Sequence, residues 1–183
     1  KIGELASANG IHLASIQGLY EAAGKELYHN KTVPAINIRG LTYHVARTIF
    51  RTALRHKVGP FVFEIARTEM VYTDQPPAEY TTSILAAAIK EGFKGLVFIQ
   101  GDHFQFNQSK FAQNPQEEVK VVEGAARAAI TAGFLNIDID SSTLVDLKKP
   151  NVDEQQKNNY VVAADLTSFI RSLEPKGVTI SVG

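Results

Sequence analysis

The chain has 183 residues, 44% of them hydrophobic and 21% charged, which excludes a disordered tail or a disulfide-stapled miniprotein and suits one well-buried core. Nineteen Lys and Arg balance nineteen Asp and Glu, so the basic excess with which proteins grip nucleic-acid phosphates is missing. There is no cysteine, which excludes disulfides, thiolate metal sites and cysteine nucleophiles together, and no apolar run approaches the roughly 18 residues of a membrane span. With no signal-like start, the reading places the protein in the cytoplasm, partnered by neither nucleic acid nor membrane.

A helical stretch over residues 11–28 opens the chain. Five short apolar, β-branched runs follow, at residues 33–38, 61–66, 95–100, 135–140 and 178–182. The first four each lead into a stretch of helical character, at 41–56, 77–91, 117–132 and 159–172. Gly59, Gly92, Gly133 and Gly177 stand where a helix must close and a strand begin, with Phe93 and Phe134 placed to make the cap's hydrophobic contact. Pro76 and Pro77 mark a helix entrance. Residues 101–116 and 141–158 read as long irregular segments, of the kind that often carries function. Alternating strands and helices imply right-handed crossovers and a mostly parallel sheet.

Strand parity sorts the side chains. Phe61, Phe63 and Ile65 share one face of the second strand, and Val62, Glu64 and Ala66 the other. In the fourth strand Ile137 and Ile139 oppose Asn136, Asp138 and Asp140. Three polar residues in a row cannot lie against apolar helices without a large desolvation cost, but they can line the interior of a barrel. The pattern therefore predicts a TIM (β/α)8-type barrel, with residues 1–183 as a single domain holding its first five strands. The alternative is an open doubly wound sheet in the order 2-1-3-4-5, which would bury Glu64 or Asp138 under a helix. Because the sequence starts at Lys1 and ends on a strand, the reading expects a chain truncated at its C-terminus, whose open strand edges favour pairing into a homo-oligomer.

Polar groups gather at the carboxyl ends of the strands, where parallel α/β folds bind ligands. Asn37 and Arg39 end the first strand, Glu64 and Arg67 the second, Gln100, Asp102 and His103 the third, and Asp138, Asp140 and Ser142 the fourth. Ordinary structural ion pairs, such as Arg67 with Asp138 or Glu64, are the bland explanation. The sharpest local motif is Ile99-Gln100-Gly101-Asp102-His103. An imidazole there can bind a divalent metal while the neighbouring carboxylate handles a substrate proton, and adjacent strand residues diverge, which gives the two separate tasks. His12, His29, His44 and His56 read as surface or packing residues. Nucleotide-binding glycine motifs and the G-x-S-x-G elbow are missing, and Lys90, Lys94 and Lys110 lie outside the apolar strands that would activate a Schiff-base lysine.

Val33-Pro34-Ala35-Ile36-Asn37-Ile38 resembles the first-strand signature of class II, metal-dependent sugar-bisphosphate aldolases of the fructose- and tagatose-bisphosphate type. Gln100-Gly101-Asp102-His103 resembles that family's H-x-D-H element, and Asp140-Ser141-Ser142 its I-D-x-S element. The resemblance implies a zinc-dependent (or other divalent-metal-dependent) lyase that cleaves or forms a C–C bond in a phosphorylated ketose. Asp102 would be the acid/base, His103 a metal ligand, and Asn37, Glu64, Asp140 and Ser142 would line the substrate site. Two departures stand out: Gln100 replaces the first histidine, and Ala66 stands where a phosphate-contacting serine is common. The chain also resembles the non-catalytic subunit of tagatose-bisphosphate aldolase, through Gly101-Asp102-His103 with Asn107 and through Tyr72-Thr73 with Pro77-Ala78. That resemblance implies a silent barrel supporting a partner enzyme, and a small-molecule binding barrel without catalysis is the third reading.

Overall fold

Residues 1–173 and 177–183 are described by a computed structural model. A short helix α1 (Ile2–Ala8), a three-residue strand β1 (Ile11–Leu13) and helix α2 (Gln17–Gly24) precede strand β2 (Ala35–Asn37) and helix α3 (Thr42–His56). Strand β3 (Val62–Ala66) runs directly into helix α4 (Arg67–Tyr72), followed by α5 (Pro77–Glu91). Strand β4 (Gly95–Gln105) leads to α6 (Gln108–Gln113) and α7 (Pro115–Thr131). Strand β5 (Asn136–Asp140), a 3-10 turn (Ser142–Leu144), helix α8 (Val152–Leu173) and strand β6 (Thr179–Val182) complete the order.

The sheet is parallel, and β2-β3-β4-β5-β6 lie side by side in chain order rather than in the doubly wound order. The register sets Asn37, Glu64, Gln100, Asn136 and Thr179 in one row across it. On one face Phe63, Ile65, Ile99, Ile137 and Ile139 join the main core, built with α3, α5, α7 and α8. Helix α3 shows why: Ala46, Phe50 and Ala53 recur at helical spacing and are buried. The Phe50 ring lies 5.1 Å from that of Phe63 and 4.8 Å from that of Phe93. Burying each such side chain contributes about 1.5–3 kcal/mol. The opposite face carries the polar set that strand parity predicts, with Val62 and Phe98 packed on Ile16 toward the strands' amino ends.

Several expectations need correction. Residues 11–28 are not one helix: Ile11–Leu13 pairs in parallel with Gly95–Val97, and only Gln17–Gly24 is helical. Residues 101–116 are largely regular, because β4 continues to Gln105 and α6 and α7 follow almost without a break. Helix α8 begins at Val152, inside the second segment expected to be irregular. Gly92 (φ 69°) and Gly133 (φ 92°) take the left-handed conformation at helix ends as expected, and the amides of Phe93 and Phe134 bond back to Ala88 and Ala129. Helix α3 instead ends through Lys57 (φ 52°), not Gly59. The helix end expected before Gly177 falls on residues 174–176, outside the described residues. Among the described residues, no helix is long and apolar enough to cross a membrane.

Candidate functional site

The site is organised by an irregularity in β4. Gly101 pairs with Ile137 but Phe104 pairs with Ile139, so β4 carries one residue more than β5 over this interval. The extra residue is a bulge, and His103 adopts φ 43° within it. Gly101 makes the bulge sterically possible, since a Cβ there would sit 2.3 Å from the Phe104 ring. The alternation of side chains is broken as a result. Asp102 and His103 do not diverge, as plain strand geometry predicts; His103 Nε2 lies 3.8 Å from Asp102 Oδ2.

Strand β5 supplies the other half. Asp140 Oδ2 lies 3.2 Å from His103 Nδ1 and accepts the Gln105 amide at 2.8 Å. Its Oδ1 accepts the hydroxyl and backbone N–H of Ser142. Asp138 Oδ2 lies 3.9 Å from His103 Nδ1, and its Oδ1 accepts the Ser181 hydroxyl at 2.6 Å. The Asp140 carboxylate thus serves as the acceptor that holds the Nδ1 proton, and the Nε2 lone pair is left facing Asp102.

The electrostatics follow from this crowding. Burial pushes the Asp102 carboxyl above the usual aspartate range; His103 opposes the shift and Asp138 adds to it. Burial likewise raises Glu64, reinforced by Asp102. For His103, burial works toward a lower value, but Asp102, Asp140 and Asp138 together hold it above the ordinary histidine value. Asp140 stays low despite burial because Ser142 and Gln105 donate to it.

Of the six residues proposed from sequence, the structure brings Asp102, His103, Asp140 and Ser142 together. Glu64 lies one strand away on the same face, its Oε2 3.5 Å from Gln100 Nε2. Asn37 is engaged elsewhere, donating to Glu69 Oε2 at 2.7 Å and accepting from Arg39 Nε at 3.1 Å. Sequence reasoning did not select Asp138, Gln105, Ser181 or Glu69. Strand parity already set Asp138 beside Asp140, and Glu69, three residues beyond Ala66, has capping-box spacing; it accepts the Ala66 N–H at 2.8 Å. Arg67 pairs with neither Asp138 nor Glu64; it donates to the Gln105 carbonyl and approaches Glu118. The other four histidines are exposed.

Asp102, His103 and Asp138 each offer one ligand atom, all within 4.8 Å of one another. Two carboxylate oxygens and an imidazole nitrogen fit a divalent cation, and the hydrogen bond from His103 to Asp140 supplies the outer support that a metal-bound imidazole needs.

No family model matches the chain, and no curated protein matches it significantly. Among solved structures it is similar to a probable tagatose 6 phosphate kinase from Sinorhizobium meliloti 1021, with a TM-score of 0.57 and 19% sequence identity. The match covers 84% of this chain and 39% of the other, so the chain spans well under half the length of that neighbour. At this identity the likeness is one of fold.

Proposed function

We propose that this chain is the first part of a parallel (β/α) barrel and acts as a metal-dependent lyase on a phosphorylated ketose, as in class II aldolases. The observation that carries the reading is the β4 bulge, which turns Asp102 and His103 to one side and sets them beside Asp138. The chain-order sheet with a polar face supports the barrel. The sugar phosphate in the neighbour's name supports the substrate class.

In this reading His103 and Asp138 would hold a divalent cation, zinc or another, beside Asp102. The cation would polarise a ligand carbonyl. Asp102, its carboxyl raised by burial, accepts the proton of the hydroxyl on the carbon beyond the bond being cleaved. As that O–H bond breaks, a carbonyl forms, the C–C bond opens, and its electron pair stays with the ketone half; the reverse direction returns the proton. Asp140 orients His103, Ser142 fixes Asp140, and Glu64, its carboxyl raised by burial, offers an oxygen to a sugar hydroxyl from the same face.

The test is metal content and aldol-cleavage rate for the wild type, His103→Ala and Asp102→Asn. His103→Ala is expected to lose metal and turnover together. Asp102→Asn is expected to keep metal and lose about 10²–10⁴-fold in rate. Metal retained by His103→Ala, or full turnover by Asp102→Asn, refutes the assigned roles. Metal binding without turnover in the wild type would favour the silent subunit.

A further inference from the structure

Two aspartates stand two residues apart on β5 and share its polar face, yet their hydrogen bonding differs. Both oxygens of Asp140 are engaged: Oδ1 by the hydroxyl and N–H of Ser142, and Oδ2 by Gln105 Nε2 and His103 Nδ1. Asp138 is engaged on one side only. Its Oδ1 accepts the Ser181 hydroxyl at 2.6 Å, and its Oδ2 receives no hydrogen bond among the described residues. His103 Nδ1 lies 3.9 Å from that oxygen, beyond hydrogen-bond reach, and bonds Asp140 instead.

The donor comes from the next strand. Ser181 is the register partner of Asp138 across β5 and β6, and alternation puts both side chains on the polar face, while Ile180 packs against the core on the other. The Asp138 side chain is only 16% exposed, and Ser181 is the one donor that the described residues give its carboxylate. The bond ties Oδ1 to β6 and leaves Oδ2 on the His103 side. Asp102 and Asp138 carry like charge, with ligand atoms within 4.8 Å of each other. An untethered Asp138 would turn away from Asp102, so the hydroxyl holds it in place before a cation arrives.

We infer that Ser181 is a positioning residue that presents Asp138 as a one-oxygen ligand and so sets which cation the site prefers. A carboxylate held to one free oxygen, beside an imidazole, suits zinc, which takes few ligands in a tetrahedral arrangement. Released from Ser181, the same carboxylate can offer both oxygens, which suits an octahedral, oxygen-preferring cation such as manganese. The inference deepens the proposed function and rests on its metal centre, but not on its reaction, so it can be tested without turnover.

The experiment is titration of the metal-free protein with Zn2+, read by competition with a chelating dye, and with Mn2+, read by electron paramagnetic resonance. Ser181→Ala is expected to lose about tenfold or more in zinc affinity and less in manganese affinity, while the metal-free variant melts close to the wild type. Ser181→Thr keeps the hydroxyl and suits a strand, and is expected to restore zinc affinity. Ser168→Ala, which removes an exposed hydroxyl bonded to the Ala164 carbonyl on α8, is expected to bind both metals as the wild type does. Wild-type zinc affinity in Ser181→Ala, an equal fall for both metals, or no recovery in Ser181→Thr overturns the role of Ser181 and leaves the metal centre standing. Failure of the wild type to bind zinc overturns both. Zinc affinity that follows the Ser181 hydroxyl in a protein without lyase activity upholds the positioning role and refutes only the reaction.

Discussion

A single glycine sets the geometry of the proposed metal centre. The Phe104 ring occupies the space a Cβ on Gly101 would need. Gly101→Ala is therefore expected to cost about 1–3 kcal/mol, measured as a shift in chemical denaturation, and to lower metal affinity because Asp102 and His103 move with the bulge. His103 makes the opposite test, since its φ of 43° is strained for a residue with a side chain. His103→Gly is expected to melt at the wild-type temperature or above while losing metal; a large drop in melting temperature would mean that the imidazole is mainly structural. The carboxylates around His103 hold its proton to higher pH than an ordinary histidine does. Protons compete with metal for Nε2, so metal affinity is expected to rise through a midpoint above about 6.5 and to weaken below it. A pH titration of metal binding checks this, and a midpoint below 6 would contradict it. Part of this site was legible in the sequence: the residue types were visible at the strand ends, but the bulge at Gly101 was not read there, since residues 101–116 were expected to be irregular. What alternation could not show was the side on which Asp102 and His103 meet, because one inserted residue inverts the parity of everything after it.

At the scale of elements, α3 and α5 are clamped by Glu91. Its carboxylate accepts from Arg47 Nε at 2.6 Å and from Arg51 Nη2 at 2.9 Å. Hydrogen bonds from Arg51 and Arg47 lower the Glu91 carboxyl from 4.5 to about 2. A carboxylate depressed in the folded state stabilises above its unfolded value and loses that contribution as pH falls through the folded one. The clamp is thus fully present above about pH 5 and fades between 4.5 and about 2. Glu91→Gln is expected to flatten the acid limb of melting temperature against pH in that window, with the difference shrinking in 1 M salt. An unchanged acid limb would remove the clamp from the account of stability. Helices such as α5 were readable because periodicity, Pro77 at the start and Gly92 at the end agreed. The N-terminal segment was not, because Ile11–Leu13 is three residues long and finds its partner more than eighty residues away. A strand that short has no local signature, and tertiary pairing decides it. Lys57 in the left-handed conformation, in place of the expected Gly59, is likewise a tertiary choice at an exposed turn.

Across the whole molecule, the parallel sheet followed from the alternation of strands with helices and the preference for chain order from the polar strand faces, but what anchors the N-terminal segment did not. Asn136 does this. It is 2% exposed, and its Oδ1 accepts the Ile16 N–H at 2.8 Å while its Nδ2 donates to the carbonyls of Ala14 and Ile99 at 3.3 and 3.0 Å. One amide thereby ties residues 14–16 across the amino ends of β4 and β5, where Ile16 packs on Val62 and Phe98. Sequence parity put Asn136 on the polar face with Asp138 and Asp140, as though it belonged to the site. Its position two residues nearer the amino end makes it structural, since the three groups it satisfies are all backbone. Asn136→Leu keeps the volume and removes the bonds, stranding the Ile16 N–H and two carbonyls. Each buried group left unpaired costs about 1–3 kcal/mol, so a loss of several kcal/mol is expected unless the segment detaches. Detachment has its own signature: the Ile16 amide would exchange with solvent far faster while the amides of Phe63 and Ile137 stay protected. If stability falls with uniform loss of protection, the N-terminal segment and the sheet fold as one unit. If stability and Ile16 protection both survive, Asn136 does not hold the segment, and apolar packing of Ile16 alone accounts for its place.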